Sequence, residues 1–372
     1  MNFCNATLVL PHEVRAGGLR VANGVISALE AAGPGIDLEG DYLMPGMIDL
    51  HTDNLERQGQ PRIGVRWPSR PALLIHDAQC AAAGITTVFD ALCLGDIGFE
   101  KERNQTFESG YADLNALVPL GALKAEHFLH LRCELPAAEM PGMLMRVIDD
   151  PLVKMISIMD HSPGIGGQYS DIERYRKMRA SEGFAADEIE DIIGQMLNAH
   201  YANHNANRAL VVAEVSRRGI PLASHDDSTE EEIIRNVEDG ITITEFPVSL
   251  TAARAAKARG MRSIAGAPNI VRGGSHSGNV EVLRLIREGL LDALASDYVP
   301  GAMLDAVFFT VAQNVLALPE AVGLVTSGPA EVANLADRGR LAPGQRADLM
   351  QVRLYDGLPV VRAVWRQGER IA

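Results

Sequence analysis

A chain of 372 residues is long enough for one barrel-sized α/β domain with a small addition, and 47% hydrophobic residues supply a large core. A formal net charge of −14 argues against a nucleic-acid surface, so a phosphorylated ligand has to find a local positive site against an unfavourable overall field. No apolar run reaches the length of a membrane span, the N-terminus lacks a basic and apolar leader, and Cys4, Cys80, Cys93 and Cys133 form no C-x-x-C pair, so a cytosolic protein with reduced, core-packed thiols is expected.

In chain order, residues 6–10, 18–21 and 25–29 read as short strands with turns between them. The most informative stretch follows: Met44-Pro45-Gly46-Met47-Ile48-Asp49-Leu50-His51-Thr52-Asp53. An apolar strand here ends on an imidazole and a carboxylate two residues apart. Residues i and i+2 share a strand face, so His51 and Asp53 are placed to chelate one divalent cation. Pro45 and Gly46 suit a chain entering a buried strand from a turn.

Strand patterns then recur at 46–51, 86–90, 128–135, 154–159, 221–224, 242–246, 262–265 and 293–296, eight in all. Helical patterns at 72–83, 230–238, 280–288 and 303–316 lie in the gaps. Such alternation predicts an α/β fold with a parallel sheet, here a (β/α)8 TIM-like barrel at 44–339. Short-strand character returns at 347–352 and 359–367. Both ends of the chain, 1–43 and 340–372, are therefore expected to build one small composite β-sandwich domain.

One gap is longer than a barrel loop needs. A Gly-rich turn at 162–167 leads into the basic aromatic stretch Arg174-Tyr175-Arg176-Lys177-Met178-Arg179, then a helical pattern at 186–217. Segment 162–185, with Arg174, Arg176 and Lys177, is a candidate lid. A solvated, charged helix face gives the same pattern.

Most predicted strands end on a group able to bind metal or move a proton: His51 and Asp53, then Glu134, Asp160 and His161, His225 followed by Asp226 and Asp227, Glu245, and Asp297. Catalytic residues of a barrel come from the C-terminal ends of several strands, so a metal site is the reading that accounts for all of them. Of Asp160 and His161, only one is expected to point inward. The donors suit one or two divalent ions: zinc, favoured by the available histidines, or manganese or magnesium.

The loop at 266–279 combines Arg272, Gly273, Gly274, Ser275 and His276 ahead of a helix near Val280. Paired glycines, a guanidinium, a hydroxyl and a helix N-terminus together predict a phosphate-binding site. Arg132 shares the strand face of Glu134, where an internal ion pair or a place at the mouth fits equally. His76 and His130 read as core histidines. His200 and His204 have metal-like spacing one helical turn apart, but no third ligand is evident nearby, so they read as surface residues.

Pro45-Gly46-Met47-Ile48-Asp49-Leu50-His51 resembles the P-G-x-I-D-x-H-x-H opening signature of the metal-dependent amidohydrolase superfamily, with Asp53 in place of the second histidine. Further blocks, among them His130-Leu131-Arg132-Cys133-Glu134-Leu135-Pro136, Met159-Asp160-His161-Ser162-Pro163-Gly164, Ser224-His225-Asp226-Asp227, Glu245-Phe246-Pro247, Ser296-Asp297-Tyr298 and Val364-Trp365-Arg366-Gln367-Gly368, are similar to its phosphonate-catabolism branch. The resemblance implies the barrel and sandwich architecture and a metal centre at the barrel mouth. It implies that His51 and Asp53 hold one ion, that Glu134 bridges two ions or binds one, that His225 binds the second, and that Asp297 touches metal and water as general base. His161 joins the implied ligands. Glu245 stands where a histidine is usual, which leaves its role open between ligand, ligand partner and substrate contact.

Superfamily members often carry a carboxylated lysine on strand four. Lys154 lies about 20 Å along the strand from Asp160, so it belongs near the barrel floor as a structural residue. The implied activity is hydrolysis of α-D-ribose 1-methylphosphonate 5-triphosphate to the 5-phosphate and diphosphate, with that phosphorylated ribose as the small-molecule partner. Superfamily barrels often pair, which makes a homodimer an expectation. The competing readings are an amidohydrolase acting on an N-acyl amino sugar or cyclic amide, and a barrel that binds a phosphonate intermediate without turnover.

Overall fold

The structure is a computed structural model and describes residues 1–30, 33–62, 64–97, 102–274 and 279–372. All eight expected barrel strands form: Met47–Thr52, Ile85–Leu94, Glu126–Glu134, Val153–Met159, Leu222–His225, Ile243–Glu245, Arg262–Gly266 and Ala293–Ala295. They pair in parallel in chain order. A parallel bridge between Thr52 and Asp297 returns the last strand to the first. The Asp297 N–H donates to the His51 carbonyl at 3.0 Å and the Asp53 N–H to the Asp297 carbonyl at 2.6 Å, so this seam lies at the mouth.

Helices cover the barrel where local chemistry starts and stops them. Thr229 caps Glu230–Glu238 through the Glu232 N–H, and the Glu232 carboxylate returns to the Thr229 N–H, a reciprocal capping box. The helix Ala186–Arg218 ends at Gly219, whose φ of 65° suits a residue without a Cβ. Gly46 opens the first barrel strand where a Cβ would come within 2.4 Å of the Thr86 side chain, so the Pro-Gly of the motif is also a packing requirement.

Along each strand the interior residues change character with height. Ile48, Leu50, Phe89, Met155, Ala223, Ile243, Ile264, Ala293 and Ala295 form one apolar cluster that fills the lower barrel. Two residues further up the same file, Ala223 gives way to His225, Ile243 to Glu245 and Ala295 to Asp297, since every second side chain shares a face. The first strand departs from this rule. Leu50 is in the apolar cluster and His51 faces the mouth, and the ladder to the second strand is irregular between Asp49 and Thr52, where the phase changes.

Both chain ends meet in the second sheet. Asn2–Val9 pairs with Val14–Ala22 and with Tyr42–Pro45, and the latter pairs antiparallel with Leu349–Tyr355. Its own core includes Phe3, Leu8, Leu19, Leu43, Leu349 and Trp365, with Phe3 edge-on to Trp365 at 4.9 Å. Lys154 is exposed at the start of the fourth barrel strand, its ammonium 5.9 Å from the Phe128 ring.

A buried polar cluster fastens the helix Ser69–Ala82 to the barrel. Asp90 accepts from His76 at 2.7 Å and from His127 at 2.8 Å, and Asp77 lies 3.2 Å from the other His127 nitrogen. Burial opposes a charged His127, but the Asp90 and Asp77 carboxylates outweigh it and push its pKa up to about 9. A histidine held above its ordinary 6.5 stabilises the fold fully below that value and loses this contribution as pH rises through about 9. The contribution is on the order of 3 kcal/mol. His127→Gln should therefore flatten the fall in unfolding free energy between about pH 6.5 and pH 9.5, as measured by urea denaturation; an unchanged slope would place the titration elsewhere.

Candidate active site and metal centre

The mouth of the barrel holds a cavity of about 230 Å³. Its walls carry His51, Asp53, Arg132, His161, His225, Asp226 and Asp297 from the strand ends, joined by Arg103, Tyr169 and Asn269 from short connecting helices and helix starts and by Arg272 and Tyr298 from loops. Donor atoms gather there in two trios, His51–Asp53–Asp297 and His161–His225–Asp226, with the atoms of each trio within 4.8 Å of one another.

Strand alternation alone would turn Asp226 away from His225. Its φ of 60° turns the chain back, so that Asp226 Oδ2 lies 3.2 Å from His225 Nδ1. Asp297 follows strand eight in the same left-handed conformation, with φ 57°, and Phe246 follows strand six with φ 53°. Aspartate enters this region more readily than most residues, whereas a bulky phenylalanine there stores strain. The Asp226 N–H is held by the Glu245 carbonyl and the Phe246 N–H by the Ile264 carbonyl, each at 2.9 Å, so neighbouring strands enforce these bends.

Two buried glutamates set the histidines. Glu245 Oε1 accepts from His51 Nδ1 at 2.8 Å. Glu134 accepts from His161 twice, from the backbone N–H at 2.9 Å and from Nδ1 at 2.5 Å. Each arrangement leaves Nε2 for a cation, the familiar carboxylate–histidine–metal relay. Both Glu134 oxygens face His161, and each keeps a lone pair beyond those contacts. Glu245 orients His51 through Oε1 and leaves Oε2 without a hydrogen bond, so it can serve His51 and a cation together.

Arg132, weighed earlier between two roles, takes both: it lines the cavity and donates to Asp53 at 2.9 Å. Burial would raise the Asp53 pKa, but Arg132 and His51 outweigh it and hold the carboxyl well below its ordinary range. Burial likewise opposes the His51 cation, yet Glu245 outweighs it and lifts the pKa to about 10. Asp297 moves the other way, pushed up to about 6 by burial and by repulsion from Asp53. The carboxylates around His51 give the site a negative potential, and a cation at Nε2 would displace the proton they hold there.

Unmet bonding points the same way. Both His225 ring nitrogens are shut off from solvent without an aligned hydrogen bond, and so is Glu245 Oε2. Buried polar atoms are rarely left so. With imidazole and carboxylate donors converging on them, the residues present fit a divalent metal. His130 is no part of it: Nδ1 is held by the Leu50 carbonyl at 2.9 Å and Nε2 by Ser157 at 3.0 Å, and burial lowers its pKa to about 4.

The expected anion loop is reached in part. Arg272, Gly274, Asn269 and Asn279 line the cavity, and Arg272 donates to the Tyr298 hydroxyl at 3.4 Å. The Gly273 and Gly274 N–H groups close the turn onto the Ile270 and Asn269 carbonyls at 3.1 and 2.8 Å, so neither is left to cradle a phosphate. Ser275 and His276 lie outside the described residues.

Asp160 turns away from the mouth and His161 turns in, as the alternation requires. Arg174, Arg176 and Lys177 do not line the cavity; Arg176 is forked onto Glu190 at 2.6 Å and also pairs with Glu173. The excursion contributes Gln168 and Tyr169 to the wall instead. Nothing in the sequence marked Asn269, Tyr169 or Arg103, since side chains on the helices that follow barrel strands carry no strand-end periodicity. Asp226 had a signal in its place beside His225, but strict alternation argued against it.

The amidohydrolase family model matches residues 146–371, more than half of the chain. End to end, the chain is 40% identical to the alpha-D-ribose 1-methylphosphonate 5-triphosphate diphosphatase of Escherichia coli strain K12, over 99% of both chains. The 5-methylcytosine deaminase of Klebsiella pneumoniae aligns over 100% of this chain and 98% of that one, with a TM-score of 0.65 at 16% identity. The N-acetylglucosamine-6-phosphate deacetylase of Pasteurella multocida aligns over 99% and 98%, with a TM-score of 0.61 at 15% identity, and at such identities these likenesses speak for the fold alone. Barrel, terminal sheet, strand-end donors and family match agree, and the chain belongs to the amidohydrolase family.

Proposed function

We propose that this chain is a hydrolase that cleaves α-D-ribose 1-methylphosphonate 5-triphosphate to the 5-phosphate and diphosphate. The observation that carries this reading is the end-to-end 40% identity to a diphosphatase of that substrate. The cavity supports it chemically, because arginines at 103, 132 and 272 meet metal-type donors in one space on a chain of net charge −14.

His51, Asp53 and Asp297 would hold one divalent ion, and His161, His225 and Asp226 a second, with zinc favoured by the three imidazoles. When bound, such an ion supplies Lewis acidity toward water and phosphoryl oxygen. Asp297, at the end of strand eight beside the ion, would take the proton of the attacking water. The water oxygen bonds to the α-phosphorus, the bond from that phosphorus to the bridging oxygen breaks, and diphosphate leaves. Arg272, Asn269 and Tyr298 orient the phosphate chain, and Arg132 keeps Asp53 ionised.

Phosphorus NMR of the metal-reconstituted protein with the ribosyl triphosphate in 18O-water tests each step. Diphosphate with label confined to the 5-phosphate is expected. Label in diphosphate alone would move the attack to the β-phosphorus. Deacylation of an N-acetyl amino sugar without diphosphate release, or binding without any release, would overturn the assignment.

A further inference from the structure

Outside the barrel interior, the excursion after strand four builds a second cluster that the reaction does not use. His200 and His204 stand one turn apart on the helix Ala186–Arg218, and both direct Nδ1 at one atom, Asp160 Oδ2, at 2.6 Å each. The third donor missing from the sequence reading is therefore Asp160, brought from 40 residues upstream by the fold. All three are largely buried beside a cavity of about 410 Å³.

The geometry is held in place from both sides. The other oxygen of Asp160 accepts the Ser162 N–H at 2.9 Å, which fixes the carboxylate plane. Asn203 and Asn207, on the same helix face, donate to the Pro136 and Leu135 carbonyls at 2.8 and 2.7 Å, so the two imidazoles are presented by an anchored helix. Arg208, the cation of this helix face, is turned to Asn236 and Asp239 at 2.7 Å each and does not neutralise Asp160.

We infer that Asp160, His200 and His204 form a further divalent-cation site, separate from the barrel mouth and suited to zinc, that fastens the long helix to the rim of the barrel. Two imidazoles and a carboxylate with room for water complete the four-coordinate set zinc prefers. An i, i+4 histidine pair on a preformed helix lowers the ordering cost of binding. The site stands on geometry independent of the diphosphatase reading, so either can fail alone.

The test uses the full chain and zinc alone. After zinc saturation and desalting, elemental analysis should show one zinc fewer per chain in His200→Ala/His204→Ala than in the parent, with unchanged far-UV circular dichroism. Equal zinc content in the two proteins overturns the site. Should that variant lose its fold, the parent protein decides: ring nitrogen-15 NMR, assigned with the single variants His200→Gln and His204→Gln, should show both Nδ1 resonances shift on zinc addition. Resonances that stay in place at saturating zinc also overturn it.

Discussion

Asp297→Asn is expected to reduce kcat by roughly 10²–10⁴-fold, the range of a lost general base, while leaving the fold intact. Stability should move in the opposite direction. A carboxyl whose pKa is raised in the folded state binds its proton more tightly there, so ionising it above about pH 6 costs stability. In metal-free protein near neutral pH this cost is on the order of 3 kcal/mol, and the neutral amide avoids it. The melting temperature of metal-free Asp297→Asn should therefore equal or exceed that of the parent. Steady-state kinetics and a thermal melt of the same preparation check both halves. Full activity would remove Asp297 from the proton-accepting role, and a large drop in melting temperature would show that the loss of turnover came from misfolding.

Chelation should bring turnover below about 1% of the holoenzyme, since Lewis-acid stabilisation is a matter of several kcal/mol, and added zinc or manganese should restore it. His225→Ala isolates the same effect within the chain. The imidazole meets Asp226 Oδ2 at 3.2 Å without an aligned hydrogen bond, so truncation loses that contact, and its chief further cost is an ion with a missing ligand. Metal content measured beside kcat should fall with it. An active, metal-depleted His225→Ala protein would exclude this histidine from the centre and leave its unmet nitrogens without an account.

The barrel was legible because its signals are local and periodic. Eight apolar runs became eight strands, and Glu230–Glu238 was readable to the residue from its helical pattern. Strand-end donors were legible for the same reason: their heights follow from alternation once a strand is placed. What escaped depends on departures from regularity. Asp226 joins the centre only because a left-handed bend reverses its direction. Glu134 and Glu245 could be placed at the mouth, but whether each touches a cation or a histidine depends on its partners' positions across the barrel. His200 and His204 looked solitary because Asp160 is remote in the chain. The glycines of the 266–279 loop suggested free amides, yet two short turns consume them.

The composite terminal sheet imposes an order of events on biosynthesis. Tyr42–Pro45 cannot find its partner Leu349–Tyr355 until roughly 300 further residues have left the ribosome, a wait of about 15–60 s at ordinary elongation rates. During that interval Tyr42–Pro45 presents a nascent, unpaired edge to the crowded cell while the later barrel strands and their donor residues are still being translated. Joining the C-terminal hairpin to that edge is thus the step that ends the chain's vulnerability to aggregation, and chaperone dependence should concentrate there.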